Sequence, residues 1–138
     1  MTRTTKTRTK RSLAGFTLVE LMIVISILLI LMSVGIPMYQ QSLLHARESA
    51  LRQDLRTLRD AIDQYTLDKQ KAPQSLEDVI SAGYIKVLPK DPFTGTTESW
   101  QPVTEDTLMA VDQTDPGIND VHSGSTLTGT DGTAYNTW

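Results

Sequence analysis

Between Phe16 and Ile36 lie 21 residues with a single ionisable side chain, Glu20. Coiled as an α-helix at 1.5 Å per residue, this run reaches roughly 30 Å, about the thickness of a bilayer's hydrocarbon core. Five basic residues precede it (Arg3, Lys6, Arg8, Lys10 and Arg11) with no acid among them, whereas the remaining 123 residues carry eight Lys and Arg against sixteen Asp and Glu. The positive-inside bias places the N-terminus in the cytoplasm and the rest of the chain outside. The only basic cluster is an N-terminal tag, and from Asp91 to Trp138 there are eight acids and no Lys or Arg, so nucleic-acid binding is disfavoured. The chain has 138 residues and no cysteine, which allows one domain and excludes a disulfide framework, a thiol nucleophile and a cysteine metal site.

Three readings compete for the apolar run. A secretory signal peptide would be shorter and uninterrupted, although Ser33-Val34-Gly35 mimics a cleavage site. A plain membrane anchor explains everything except Glu20. A carboxylate facing lipid costs on the order of 2–3 kcal/mol near the bilayer centre and less near the headgroups. The run holds no Lys, Arg or His to pair with it. A partner must come from another molecule or from a new chain terminus, unless Glu20 is tolerated near the headgroups. Cleavage between Gly15 and Phe16 would create an amine four residues before Glu20, able to neutralise the Glu20 of a neighbouring copy.

The stretch Arg11-Ser12-Leu13-Ala14-Gly15-Phe16-Thr17-Leu18-Val19-Glu20-Leu21 resembles the class III signal of type IV pilins and type II secretion pseudopilins. The resemblance implies that a prepilin peptidase cuts after Gly15 and methylates the new N-terminal Phe16, and that Glu20 serves subunit assembly. It further implies an α+β, type IV pilin-like fold: a long bent N-terminal helix, membrane-spanning in its first half, carrying a small C-terminal domain with a short antiparallel sheet.

Beyond the run, Pro37 removes one backbone hydrogen bond and bends a helix that continues. Leu44, Leu51, Leu55, Leu58, Ile62 and Tyr65 recur on one helical face. Glu48/Arg52, Arg56/Asp60 and Arg59/Asp63 are placed as i,i+4 ion pairs on the opposite surface. The organisation expected is a leader over 1–15, a transmembrane or filament-core helix over 16–36, an amphipathic continuation over 37–70 and a globular part over 71–138. A dimeric coiled coil is the alternative for the 44–65 stripe. Packing on the chain's own C-terminal part is preferred.

Ser75-Leu-Glu-Asp78 reads as a capping box that opens a short helix over 76–82, stopped by Gly83. The prolines of the following segment favour an ordered loop. Within it, Leu88-Pro89-Lys90-Asp91-Pro92-Phe93 resembles a segment of the major pseudopilins of type II secretion. Residues 98–103 and 107–111 are expected as two antiparallel strands around a turn at 104–106. Trp100 belongs to the core, and Pro102 marks an edge or bulged strand.

The tail from Asp112 is rich in Asp, Asn, Ser, Thr and Gly, an oxygen-rich composition that suits a hard cation. Resemblance to the major pseudopilins implies a calcium ion in this loop, although their glycine- and acid-rich wording is replaced here by residues 116–125. The candidate ligands are Asp115 and Asp120, then Ser123, Ser125 and Asp131. The alternative is a polar loop held by its own hydrogen bonds. Tyr135 and Trp138 are placed to pin the tail. His45 is read as solvated and His122 as structural. No nucleophile, phosphate loop or HExxH pattern is present, so no enzyme is expected.

The resemblance therefore implies a filament subunit, the major pseudopilin of a type II secretion system. It would sit in the bacterial inner membrane with its domain in the periplasm, in contact with lipid before assembly. Its partners would be further copies of itself, the prepilin peptidase, minor pseudopilins and the inner-membrane assembly platform. The alternatives are the major pilin of a type IV pilus, used in adhesion, motility or DNA uptake, and a membrane-anchored binding protein that forms no filament.

Overall fold

A computed structural model of the chain describes residues 15–104 and 116–138. The order of elements is helix α1 (Leu18–Lys69), helix α2 (Leu76–Ser81), strand β1 (Gln101–Thr104), strand β2 (Ile118–His122) and a 3₁₀ turn at Tyr135–Thr137. The fold is α+β, as expected. Residues cluster into two units that divide between Gln40 and Gln41, within α1.

In the first unit α1 begins at a threonine cap. Thr17 Oγ1 accepts the Glu20 amide at 3.2 Å, and the Thr17 carbonyl accepts the Leu21 amide at 3.1 Å. This satisfies donors that a helix start otherwise leaves unpaired. The side chains of residues 16–36 are all exposed. The two serines of the span turn their hydroxyls onto the helix's own carbonyls, Ser26 to Met22 and Ser33 to Ile30, each at 2.7 Å. Pro37 lies inside the helix, which continues past it.

In the second unit Leu51, Leu55, Leu58 and Ile62 are buried, with Leu44 and Tyr65 half-buried at the ends of the stripe. They pack with Val79, Trp100, Ile118, Val121 and Tyr135 into one core. The stripe thus packs on the chain's own domain. Helix α1 stops at Lys69 because Gln70 takes a left-handed conformation (φ 56°) and its side-chain amide donates back to the Leu67 carbonyl at 2.6 Å. The expected capping box is formed: Ser75 Oγ accepts from the Asp78 amide and Asp78 Oδ2 accepts from the Ser75 amide. Gly83, at φ 86°, follows α2 and donates to the Ile80 carbonyl.

The sheet departs from the expectation. β1 pairs antiparallel with β2, in the register Gln101↔His122, Pro102↔Val121, Val103↔Asp120 and Thr104↔Ile118, with a bulge between Val103 and Thr104. The tail segment read as polar loop therefore contains the partner strand. The proposed strand over 107–111 and the residues of its turn after Thr104 lie outside the described residues. The bulge explains the misreading: it puts Ile118 and Val121 both inside, three residues apart, which breaks the two-residue alternation that marks a strand.

The ion pairs also differ. Glu48 is buried, not on the outer surface, and Arg52 lies over the Trp138 ring at 4.1 Å from its centroid. Arg59 pairs with Asp120 in place of Asp63. Arg56 and Asp60 form no ion pair within 4 Å. Glu48, on the core side of the helix, is bound by Thr130 and Tyr135 of the tail.

Candidate functional site

The first candidate is the start of α1. Gly15 has nothing within 4 Å of where a Cβ would stand, and Phe16 is 82% exposed. Glu20 sits in the first turn, where the positive end of the helix dipole favours an acid. Its carboxylate has no partner among the described residues. The helix is long and apolar enough to cross a membrane. Pro37 stands one turn after Ser33, beside a shallow apolar groove lined by Leu28, Leu31, Met32, Gly35, Ile36 and Tyr39. The leader residues before Gly15 lie outside the described residues.

The second candidate is the tail. Asp115 lies outside the described residues, and the other four candidate ligands do not converge. Asp120 Oδ1 accepts from Arg59 Nε at 2.5 Å and from the Val121 amide at 2.7 Å. Ser123 Oγ donates to Asp91 Oδ2 at 2.5 Å and accepts from the Ser125 amide. Ser125 Oγ accepts from the Leu127 amide at 3.4 Å. Asp131 Oδ1 accepts from the amide and the hydroxyl of Thr133 at 2.9 and 2.7 Å. No three His, Cys, Asp or Glu side chains are grouped to hold a metal among the described residues. Each of these oxygens already bonds a protein partner, and among the described residues they assemble no shell for the calcium ion that the resemblance implies.

Electrostatics follow the same partners. Burial pushes the Asp120 carboxyl up, but the hydrogen bonds from Arg59 and Val121 outweigh it and hold the group below its usual range. For Asp131, hydrogen bonds from Thr133 lower it.

Three charged residues that organise the tail escaped the sequence reading. Glu48, 1% exposed, accepts from the Thr130 amide and hydroxyl, each at 2.7 Å, and from the Tyr135 hydroxyl at 2.9 Å. Asp91, fully buried, accepts from the Phe93 amide and from Ser123, tying the proline-flanked loop to the end of β2. Arg59 binds Asp120 and two main-chain oxygens. A signal existed for Glu48: it stands four residues after Leu44 and three before Leu51, on the buried stripe itself. Tyr135 and Trp138 do pin the tail. Tyr135 stacks on Phe93 with centroids 3.9 Å apart and meets Trp138 edge-on at 4.9 Å. His122 lies at the tail's base, its Nδ1 against the Trp138 main-chain oxygen.

Residues 10–36 match the model described as the prokaryotic N-terminal methylation motif. Type II secretion system core protein G of Aeromonas hydrophila is 35% identical over 100 residues, covering 61% of this chain and 70% of that protein. The protein of the same name from Klebsiella pneumoniae is 38% identical over 99 residues, covering 57% and 68%. Type IV major fimbrial protein FimA of Dichelobacter nodosus is 40% identical over 60 residues, covering 44% and 38%. No solved structure matches.

Proposed function

Because this chain belongs to the type II secretion system core protein G family, we propose that it is the major pseudopilin of such a system, a structural subunit that polymerises through its N-terminal helix into a periplasmic filament. The observation that carries the reading is the first unit of α1: an apolar helix, exposed on every side, whose one carboxylate has no partner among the described residues, beginning just after the Gly15-Phe16 step. Such a helix anchors the subunit in a membrane before assembly. In a filament the same surface packs against its copies. Head-to-tail contacts of this kind do not close on themselves and generate an open helical array.

On this reading a prepilin peptidase removes residues 1–15 and methylates Phe16. The Phe16 amine of one subunit then meets the Glu20 carboxylate of another and fixes their axial register. The membrane of origin is the bacterial inner membrane, with the domain in the periplasm. Minor pseudopilins and the assembly platform are the partners during growth. The role is mechanical, and no catalytic group is invoked.

A type IV pilus subunit is the second reading, supported by the fimbrial relative, which matches over 60 residues against about a hundred for the secretion relatives. The test is intact-mass and N-terminal analysis of the chain recovered from membranes, together with sedimentation of sheared filaments. A mature chain that starts at N-methylated Phe16 and pellets as filaments is the expected result. A retained leader, or monomers under every condition, overturns it. Loss of secretion, with twitching unaffected, on deleting the gene favours the secretion role over the pilus role.

A further inference from the structure

Arg59 leaves α1 beside the buried Leu55, Leu58 and Ile62 and reaches three oxygen acceptors in other parts of the domain. Its Nε donates to Asp120 Oδ1 at 2.5 Å. Its Nη2 donates to the Val121 carbonyl at 3.1 Å and to the Trp138 main-chain oxygen at 2.8 Å. Two-thirds of the side chain is buried. His122 stands on the same group, with Nδ1 on the Trp138 oxygen and Nε2 3.8 Å from Asp120 Oδ2. One carboxylate and two main-chain oxygens gathered around a positive charge are the kind of donors a hard divalent ion collects.

We propose that the Arg59 guanidinium is the resident cation of this domain, gathering strand β2 and the tail onto α1 in the place where the family resemblance implies calcium, so that the fold is independent of divalent metal. Asp120 is better matched to the guanidinium than to an added metal ion. An ion bound to its carboxylate would lie within a few ångströms of the guanidinium and meet like-charge repulsion, and Oδ1 already holds two donors. Nor do the other candidate oxygens among the described residues assemble a substitute shell: Ser123 is turned to Asp91, and Asp131 to Thr133. Calcium takes six to eight oxygen ligands. Guanidinium instead needs only a few acceptors laid out along its planar fork, and that is the arrangement present. The inference does not rest on filament formation, since it concerns the unassembled chain.

The experiment uses the full chain in detergent, dialysed against a chelator and then returned to buffer with or without millimolar calcium chloride. Metal content is read by elemental analysis, and thermal unfolding by tryptophan fluorescence. Calcium well below one ion per chain and an unchanged midpoint are expected. Arg59→Ala should lower the midpoint by on the order of 5–10 °C, and calcium should not restore it. Arg59→Lys should recover only part of the loss, because an ammonium lacks the fork. Stoichiometric calcium in the purified chain, a calcium-dependent rise of the wild-type midpoint, or an Arg59→Ala midpoint equal to wild type each overturns the proposal. Should Arg59→Ala fail to fold, the wild-type metal content and calcium response decide alone.

Discussion

The Tyr135 hydroxyl donates to Glu48 Oε1 across 2.9 Å, and both groups are sealed from solvent although 87 residues separate them. With the two Thr130 bonds, Glu48 is the point at which the tail is fastened to α1. Glu48→Ala should destabilise the domain by about 3 kcal/mol, because it strands three donors and opens space in a packed region. Tyr135→Phe removes one of those bonds and should cost about 1–2 kcal/mol. Denaturant unfolding of the two variants checks the order. Equal losses would mean the Thr130 bonds contribute nothing.

The same carboxylate makes stability depend on pH. Burial works against its charge, but the Thr130 bonds, the Tyr135 bond and Arg52 together hold Glu48 below its ordinary 4.5. Asp120 is likewise held low. A depressed carboxyl stabilises the fold above its unfolded value and loses that contribution as pH falls through the folded one. The melting midpoint should therefore decline once pH drops below about 4.5. Asp54, raised by burial and by Asp91, works in the opposite sense and softens the decline. In Glu48→Gln the decline should be shallower than in wild type, as a midpoint-against-pH series would show.

Tyr135 governs the alkaline side. Burial and the Glu48 bond push its hydroxyl up to about 12 from an ordinary 10.0. A raised group contributes fully below its unfolded value and loses that contribution as pH rises through the folded one. Stability should hold to about pH 10 and then fall toward pH 12, and Tyr135→Phe should flatten that limb. The tyrosinate absorbance lost between wild type and Tyr135→Phe identifies the group, apart from Tyr84, whose hydroxyl the Asp68 bond also raises.

Gly124 lies where a side chain cannot. A Cβ there would stand 2.2 Å from the Ser99 carbonyl oxygen, which is main chain and cannot swing aside. Gly124→Ala should cost about 1–3 kcal/mol. Gly132, with φ 83° and open space around its Cβ position, separates conformational strain from collision. Gly132→Ala should cost roughly 1 kcal/mol. Denaturation midpoints in the reverse order would contradict the close approach of Gly124 to Ser99.

At the other end of the chain, Glu20→Gln should leave membrane insertion and the domain's melting point unchanged while reducing pelletable filaments about tenfold, the effect of ~1.4 kcal/mol lost per contact. Wild-type filament yield would remove the proposed pairing with the Phe16 amine.

Periodicity made the Leu51–Ile62 stripe legible, and local chemistry made the Ser75–Asp78 cap and the Gly83 stop legible, because each depends on residues a few positions apart. The tail was not. Glu48 and Arg59 were assigned to solvent because a charge on a helix is ordinarily solvated, and their partners lie 60 to 90 residues away in sequence. Strand β2 was hidden by its bulge. Asp91 looked like part of a proline turn, and only the fold brings Ser123 to it. Long-range polar contacts of this kind have no period to betray them.

Ser26 and Ser33 have a consequence for anything that lies alongside the first unit. With both hydroxyls folded back on the backbone, a companion helix meets a mainly hydrocarbon surface from Leu21 to Ile36. If a companion helix pairs its terminal amine with Glu20 as proposed, that one ionic stop, and not a ladder of polar contacts, chooses position along the rod.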